Sequence, residues 1–170
     1  MFLTALALAA AEPPAPPPRP MRVEITRDSI SDDLAATAIL LDRGSKLTLA
    51  CEPDDYEGVR VIFTSRHWLA GSSLFTGERP LIYRFDEERP RRLVWIMRDR
   101  GARLAGRDRV TGFLRGLLTA EQLLFRTRDI EDRPVDVTFR LVGVRPAVEQ
   151  LLEACGEQRM RRRLFEPRRR

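Results

Sequence analysis

Histidine occurs once in this chain, lysine once and cysteine twice, and each scarcity narrows the chemistry available. One His and two widely separated Cys do not supply the four closely spaced ligands of a zinc site, so no metal is expected. A nucleophilic cysteine would want a base beside it, and His67 is the only histidine. His67 and Trp68 share the segment SRHWLAG, a loop context in which a lone histidine is more often a packing or surface residue than a general base. No glycine-rich phosphate loop, nucleophile elbow or metal-binding helix motif occurs. Asp86, Glu87 and Glu88 are consecutive and alternate in direction, so they do not form the facing carboxylate pair of a glycosidase. Asp54 and Asp55 read as turn formers. The expectation is a protein that is not an enzyme and carries no cofactor.

Long hydrophobic runs are also missing. The longest, in MFLTALALAAA, is too short to span a bilayer and suits the apolar region of a signal peptide, although no basic residue precedes Arg19. Residues 1–11 are therefore expected to be removed on export, which places the protein in the periplasm or outside the cell without a transmembrane span. Residues 12–21, rich in proline, read as a stiff extended spacer.

What is abundant is arginine, and its excess is local. Residues 159–170, RMRRRLFEPRRR, hold seven Arg and one Glu, whereas residues 1–158 carry 23 basic and 24 acidic side chains. The body is thus nearly neutral, and nucleic acid is not an expected partner. The basic stretch reads as a solvated, disordered tail capable of weak contact with an anionic surface.

Between spacer and tail, residues 22–158 form one domain. RVEITR, KLTLACE and GVRVIFTS have strand periodicity, while LAATAILL fits either a buried strand or a helix ending near Gly44. LIYRFDEERPRRLVWIMRD reads as a hairpin with EERP as its turn. RVTGFLRGLL has helical spacing, EQLLFRTR and VDVTFRLVG read as strands, and RPAVEQLLEACG reads as a helix with Gly156 at its C-terminal cap. Strands without strand-helix-strand alternation define an α+β class: a mostly antiparallel sheet with a short helix and a C-terminal helix packed on it.

Both cysteines face the apolar side of their elements. Cys51 shares a strand face with Leu47 and Leu49, and Cys155 shares a helical stripe with Val148, Leu151 and Leu152. In an oxidising compartment a disulfide between them ranks first, with two inert buried thiols as the alternative. Arg84 and Asp86, two apart, share a face from which they reach a neighbouring strand or a partner; a cross-strand structural pair is the favoured use. Tyr83, Phe85 and Trp95 are aromatic enough for a binding platform, although aromatic residues of a hairpin are more often core. The candidate binding surface is His67, Trp68, Tyr83, Arg84, Asp86 and Trp95, and the expected partner is another protein of the envelope.

In order, LACE, YRFDEERP, a following Trp, FLRGLL, LLFRTRD, VDVTFRLVG and VEQLLEACG resemble the type VI secretion-associated VasI/TagO family, small exported proteins of Gram-negative envelopes. The resemblance spans residues 34–157. Cys51, Tyr83, Arg84, Asp86, Trp95, Phe139, Gly143 and Cys155 stand at the matching positions. It implies a strand for LAATAILL and an exported accessory protein associated with type VI secretion; the alternative is a free-standing periplasmic inhibitor or ligand-binding module that inserts the HWLAGSSLF loop into a partner.

Overall fold

The structure, a computed structural model, describes residues 17–27, 29–51, 58–69 and 77–166. The signal segment, Asp54, Asp55 and most of the HWLAGSSLF loop lie outside the described residues.

Apolar side chains at period two in strands and at i, i+3, i+4 in helices accompany nine strands and three helices among the described residues. The strands are β1 (Arg22–Arg27), β2 (Leu34–Asp42), β3 (Ser45–Cys51), β4 (Arg60–Thr64), β5 (Gly77–Phe85), β6 (Arg91–Arg98), β7 (Gly101–Leu104), β8 (Gln122–Arg128) and β9 (Pro134–Arg140). The helices are α1 (Arg107–Leu117), α2 (Val144–Ala154) and α3 (Gln158–Phe165). The strands make one antiparallel sheet in the order β1-β2-β3-β4-β7-β6-β5-β8-β9, so the class is α+β as the periodicities imply. LAATAILL is a strand: Ala36, Ala38 and Leu40 are buried at period two.

The sheet is strongly coiled. Phe63 of β4 stacks on Phe125 of β8 with ring centroids 4.7 Å apart, although three strands separate them along the sheet. The backbone N–H of Met21 donates to the carbonyl of Val142 at 2.9 Å, tying the entry to β1 to the exit of β9. Curling of this kind follows from strand twist accumulated over many strands. Helix α1 lays Phe113 against Tyr83, Trp95 and Phe125, and α2 covers β1, β2 and β3 with Val144, Ala147, Val148, Leu151 and Leu152.

Two segments differ from expectation. GARL, which carries no strong strand signal, is β7: Arg98 pairs with Gly101 across a two-residue turn in which Asp99 takes φ 53°. The arginine-rich stretch is not wholly a disordered tail, because residues 158–165 form α3. Met160 is 2% exposed, and Leu164 and Phe165 pack on the core. Met160 and Leu164 are four apart, so one helical turn brings both to the same face while the arginines fan outward. Arg161 pairs with Glu149 at 2.9 Å, Arg163 with Asp108 at 3.5 Å, and the Arg145 guanidinium lies 5.5 Å from the Phe165 ring.

Candidate functional site

The strand face that carries Tyr83 points inward, and so does Trp95. Trp95 is fully buried and Tyr83 nearly so, which makes them core residues rather than a binding platform. Their rings meet Phe113 at 5.8 and 5.2 Å. Burial pushes the Tyr83 phenol above its ordinary pKa, and Arg91 opposes that shift.

Arg84 points to the other face of β5 and reaches Glu87 at 3.7 Å. Asp86 lies just past the end of β5 at φ 42° and makes no ion pair among the described residues. Its carboxylate accepts the backbone N–H groups of Glu121 at 3.0 Å and Gln122 at 2.8 Å, and its own N–H donates to the Gln122 carbonyl at 3.1 Å. The favoured Arg84/Asp86 role as a cross-strand ion pair is therefore replaced by a side chain-to-backbone staple. Leaving the strand turns Asp86 away from the direction its period-two position implies, and toward the unpaired donors at the start of β8.

His67, half-buried, and Trp68, exposed, lie together on the loop after β4; Asp86 is exposed as well and Arg84 half-buried. The Leu69 N–H donates to the Asp99 carbonyl at 2.7 Å and the Ile130 N–H to the Trp68 carbonyl at 2.9 Å, which fixes the base of this loop on two turns. Trp68 is 45% exposed and the Arg100 guanidinium sits 4.8 Å over its ring. His67 Nε2 accepts a hydrogen bond from Arg66 Nε at 2.9 Å. The six candidates thus divide into a buried pair, two residues about the end of β5, and a pair on the loop after β4.

His67 opens onto a cleft that sequence reasoning did not single out. An open cavity of about 550 Å³ runs between the β2–β3 turn, Arg66 and His67, and the outer side of β9. A second, of about 710 Å³, continues from it between that turn, Arg140 and the Pro17–Arg19 segment. Arg19, Arg43, Lys46, Arg66 and Arg140 line this pair of cavities, and none of the five has a carboxylate partner among the described residues. Of the two acids in the wall, Asp136 is held by Arg126 through two hydrogen bonds, at 2.8 and 2.6 Å, which also lower its pKa; Asp42 alone opposes the cations. The signal lay in the sequence as DRGSK, where a charged pair of positions brackets a tight turn, but only the fold brings Arg66 and Arg140 to it.

On the neighbouring β8–β9 turn, Asp129 accepts the N–H groups of Glu131 and Arg133 at 2.9 and 3.0 Å and the Arg133 Nε at 2.8 Å. Burial opposes its ionisation, but these donors outweigh it and hold the carboxyl below its ordinary pKa.

Cys51, at the end of β3, is bonded to Cys155, which caps α2, with Cα atoms 6.2 Å apart. Gly156 follows at φ 66°, a left-handed conformation that lets α2 end and α3 begin. No helix among the described residues is long and apolar enough to cross a membrane, and no group of His, Cys, Asp or Glu among them is arranged to hold a metal ion. Fold and site together define a disulfide-bonded α+β domain with a tryptophan-bearing loop and a basic cleft on its surface. No family model, curated protein or solved structure matches the chain.

Proposed function

We propose that the protein is an exported, periplasmic accessory protein that binds a partner in a Gram-negative envelope, in the service of type VI secretion. The observation that carries the compartment is the Cys51–Cys155 bond, because a disulfide that closes a long loop persists where thiols are kept oxidised. The apolar segment at residues 1–11 supports the same compartment, and the link to secretion rests on the ordered pattern of motifs between residues 34 and 157. Crosslinking in intact cells followed by recovery from the envelope is the test. Capture of a secretion-apparatus component is the expected result; recovery only from the cytosol, with both thiols free to alkylation, would overturn the proposal.

A second reading is favoured by Trp68. A tryptophan 45% exposed, on a loop whose base is fixed by backbone hydrogen bonds, suits insertion into a partner by a free-standing inhibitor or ligand-binding module. Trp68→Ala then leaves the melting temperature unchanged and abolishes capture of the partner. Capture at the wild-type level would exclude the loop as the contact.

A further inference from the structure

We infer that the cleft between the β2–β3 turn and β9 is a binding site for a phosphate-bearing ligand, with Arg43 and Arg140 as its principal contacts. The inference does not depend on the compartment or on the secretion reading.

Three observations converge on it. The first is charge that the fold leaves uncompensated. Elsewhere on the surface, Arg91, Arg107, Arg126, Arg133 and Arg161 each sit within 3.1 Å of a carboxylate, while Arg22, Arg115 and Arg162, among others that have no such partner among the described residues, stand on three different elements. In the cleft, Arg19, Arg43, Lys46, Arg66 and Arg140 have no such partner among the described residues, and Asp42 is the only unpaired acid facing them among those residues. Five cations along two adjoining cavities, Arg19 among them, repel each other unless an anion neutralises them.

The second is the backbone of Arg43. Five non-glycine residues among those described have positive φ, and four are Asp, a residue that tolerates this region. Arg43, at φ 40°, is the exception. It occupies the first position of the two-residue turn Arg43–Gly44, closed by the Asp42 and Ser45 pair, where Asn or Gly would be unstrained. A long cation kept where the backbone disfavours it marks a side chain wanted for contact at the tip.

The third is the cleft's size and lining. It is too large for a monatomic anion, its cations come from the segment before β1, the β2–β3 turn, the loop after β4 and the end of β9, and Arg66 uses only Nε internally, toward His67. Guanidinium forks from separate elements match the several oxygens of a phosphate group, and the mainly polar wall of the smaller cavity, between the turn and β9, matches a hydrophilic body. The ligand is a phosphate ester, supplied as a soluble molecule or as a lipid headgroup.

Pyrophosphate titration by calorimetry at low ionic strength tests the site, with sedimentation of phosphatidylglycerol vesicles, against vesicles of phosphatidylcholine alone, as a second arm. The variants are Arg43→Asn with Arg140→Gln, and Arg162→Gln on α3 as a control outside the cleft. Wild type and control are expected to bind pyrophosphate alike, with affinity that falls as salt rises, and the double variant at least about tenfold more weakly. Asn suits the turn, so the double variant should keep its melting temperature and its loss of affinity will not report unfolding. Vesicle binding that also requires Arg43 and Arg140 assigns the phosphate to a headgroup; pyrophosphate binding without it assigns a soluble ester. Failure of wild type to bind either probe would overturn the site, as would equal affinities of the double variant and the control.

Discussion

Two glycines of α1 show how much depends on what stands opposite a single hydrogen atom. Gly112 and Gly116 are both helical, and glycine in a helix interior is disfavoured relative to alanine by about 1 kcal/mol. A Cβ at Gly112 would meet nothing within 4 Å, whereas one at Gly116 would run into the Phe85 ring. Phe85 is 1% exposed and wedged between Tyr83 and Phe113, so it has no room to yield. Gly112→Ala should therefore raise the unfolding free energy by roughly 0.5–1 kcal/mol. Gly116→Ala should lower it by about 1–3 kcal/mol, the usual penalty of overpacking. Denaturant unfolding of the two variants checks this, and equal effects would show that helix propensity rather than the Phe85 contact governs both positions. Residue roles of this kind were only partly legible in the sequence. The stripe on α2 placed Cys155 correctly, since helical period alone fixes a face. The burial of Trp95 and the turn of Asp86 toward β8 required knowing which strands are neighbours.

Among elements, the β8–β9 hairpin carries two carboxylates held below their ordinary pKa. Asp136 is drawn below its ordinary pKa first by its hydrogen bonds with Arg126, its partner in strand register; Asp129 is lowered by three donors despite burial. A carboxyl whose folded pKa lies below the unfolded one stabilises the protein fully above the unfolded value of about 4 and loses that contribution as pH falls through the folded value. The hairpin should thus be firm at pH 7 and weaken in acid below about pH 4. Asp136→Asn should lower the melting temperature at pH 7, and the difference from wild type should vanish in strong acid; a difference independent of pH would remove the ion pair as its cause. The helix α3 makes a different case. Its arginines hide Met160 and Leu164 from a reading based on charge, because solvation of the run looks sufficient until α2 supplies a surface for the apolar face. Met160→Ala should cost about 2 kcal/mol as a buried truncation, while Arg159→Ala, exposed, should be nearly neutral. Comparable unfolding midpoints for the two variants would return the segment to the status of a solvated tail. β7 escaped notice for a related reason: four residues with two alanine or glycine positions have little propensity, and pairing with β4 and β6 makes them a strand.

For the whole molecule, the disulfide decides how the sheet and helices hold together. Cys51 and Cys155 are 104 residues apart, and the loop they close contains β4 through β9, α1 and α2. It ties the end of β3 to the end of the helix that covers β1, β2 and β3. The α+β class, the hairpin about the EERP turn and this pairing were readable from periodicity, because each follows from which side of an element is apolar, whereas the start of β5 at Gly77 was not. The strand order was not, since the insertion of β7 between β4 and β6, and of β5 between β6 and β8, depends on closures between distant segments that no local pattern encodes. Chain entropy gives the bond its weight: a closed loop of about 100 residues restricts the unfolded ensemble by an amount equivalent to about 5 kcal/mol. A domain of this size is ordinarily stable by about 5–15 kcal/mol, so losing the bond removes a large fraction. Replacing both cysteines by alanine should lower the unfolding free energy by about 3–5 kcal/mol. Because α2 would lose its covalent tie to β3, backbone amide exchange should accelerate first in β1 and β2 beneath it and last in β5, β6 and β8, which enclose the Tyr83, Phe85, Trp95 and Phe125 cluster. Uniform acceleration across the sheet would mean that the bond acts only through the unfolded state, and protection retained in β1 and β2 would show that the packing of Val148, Leu151 and Leu152 suffices to hold α2 in place.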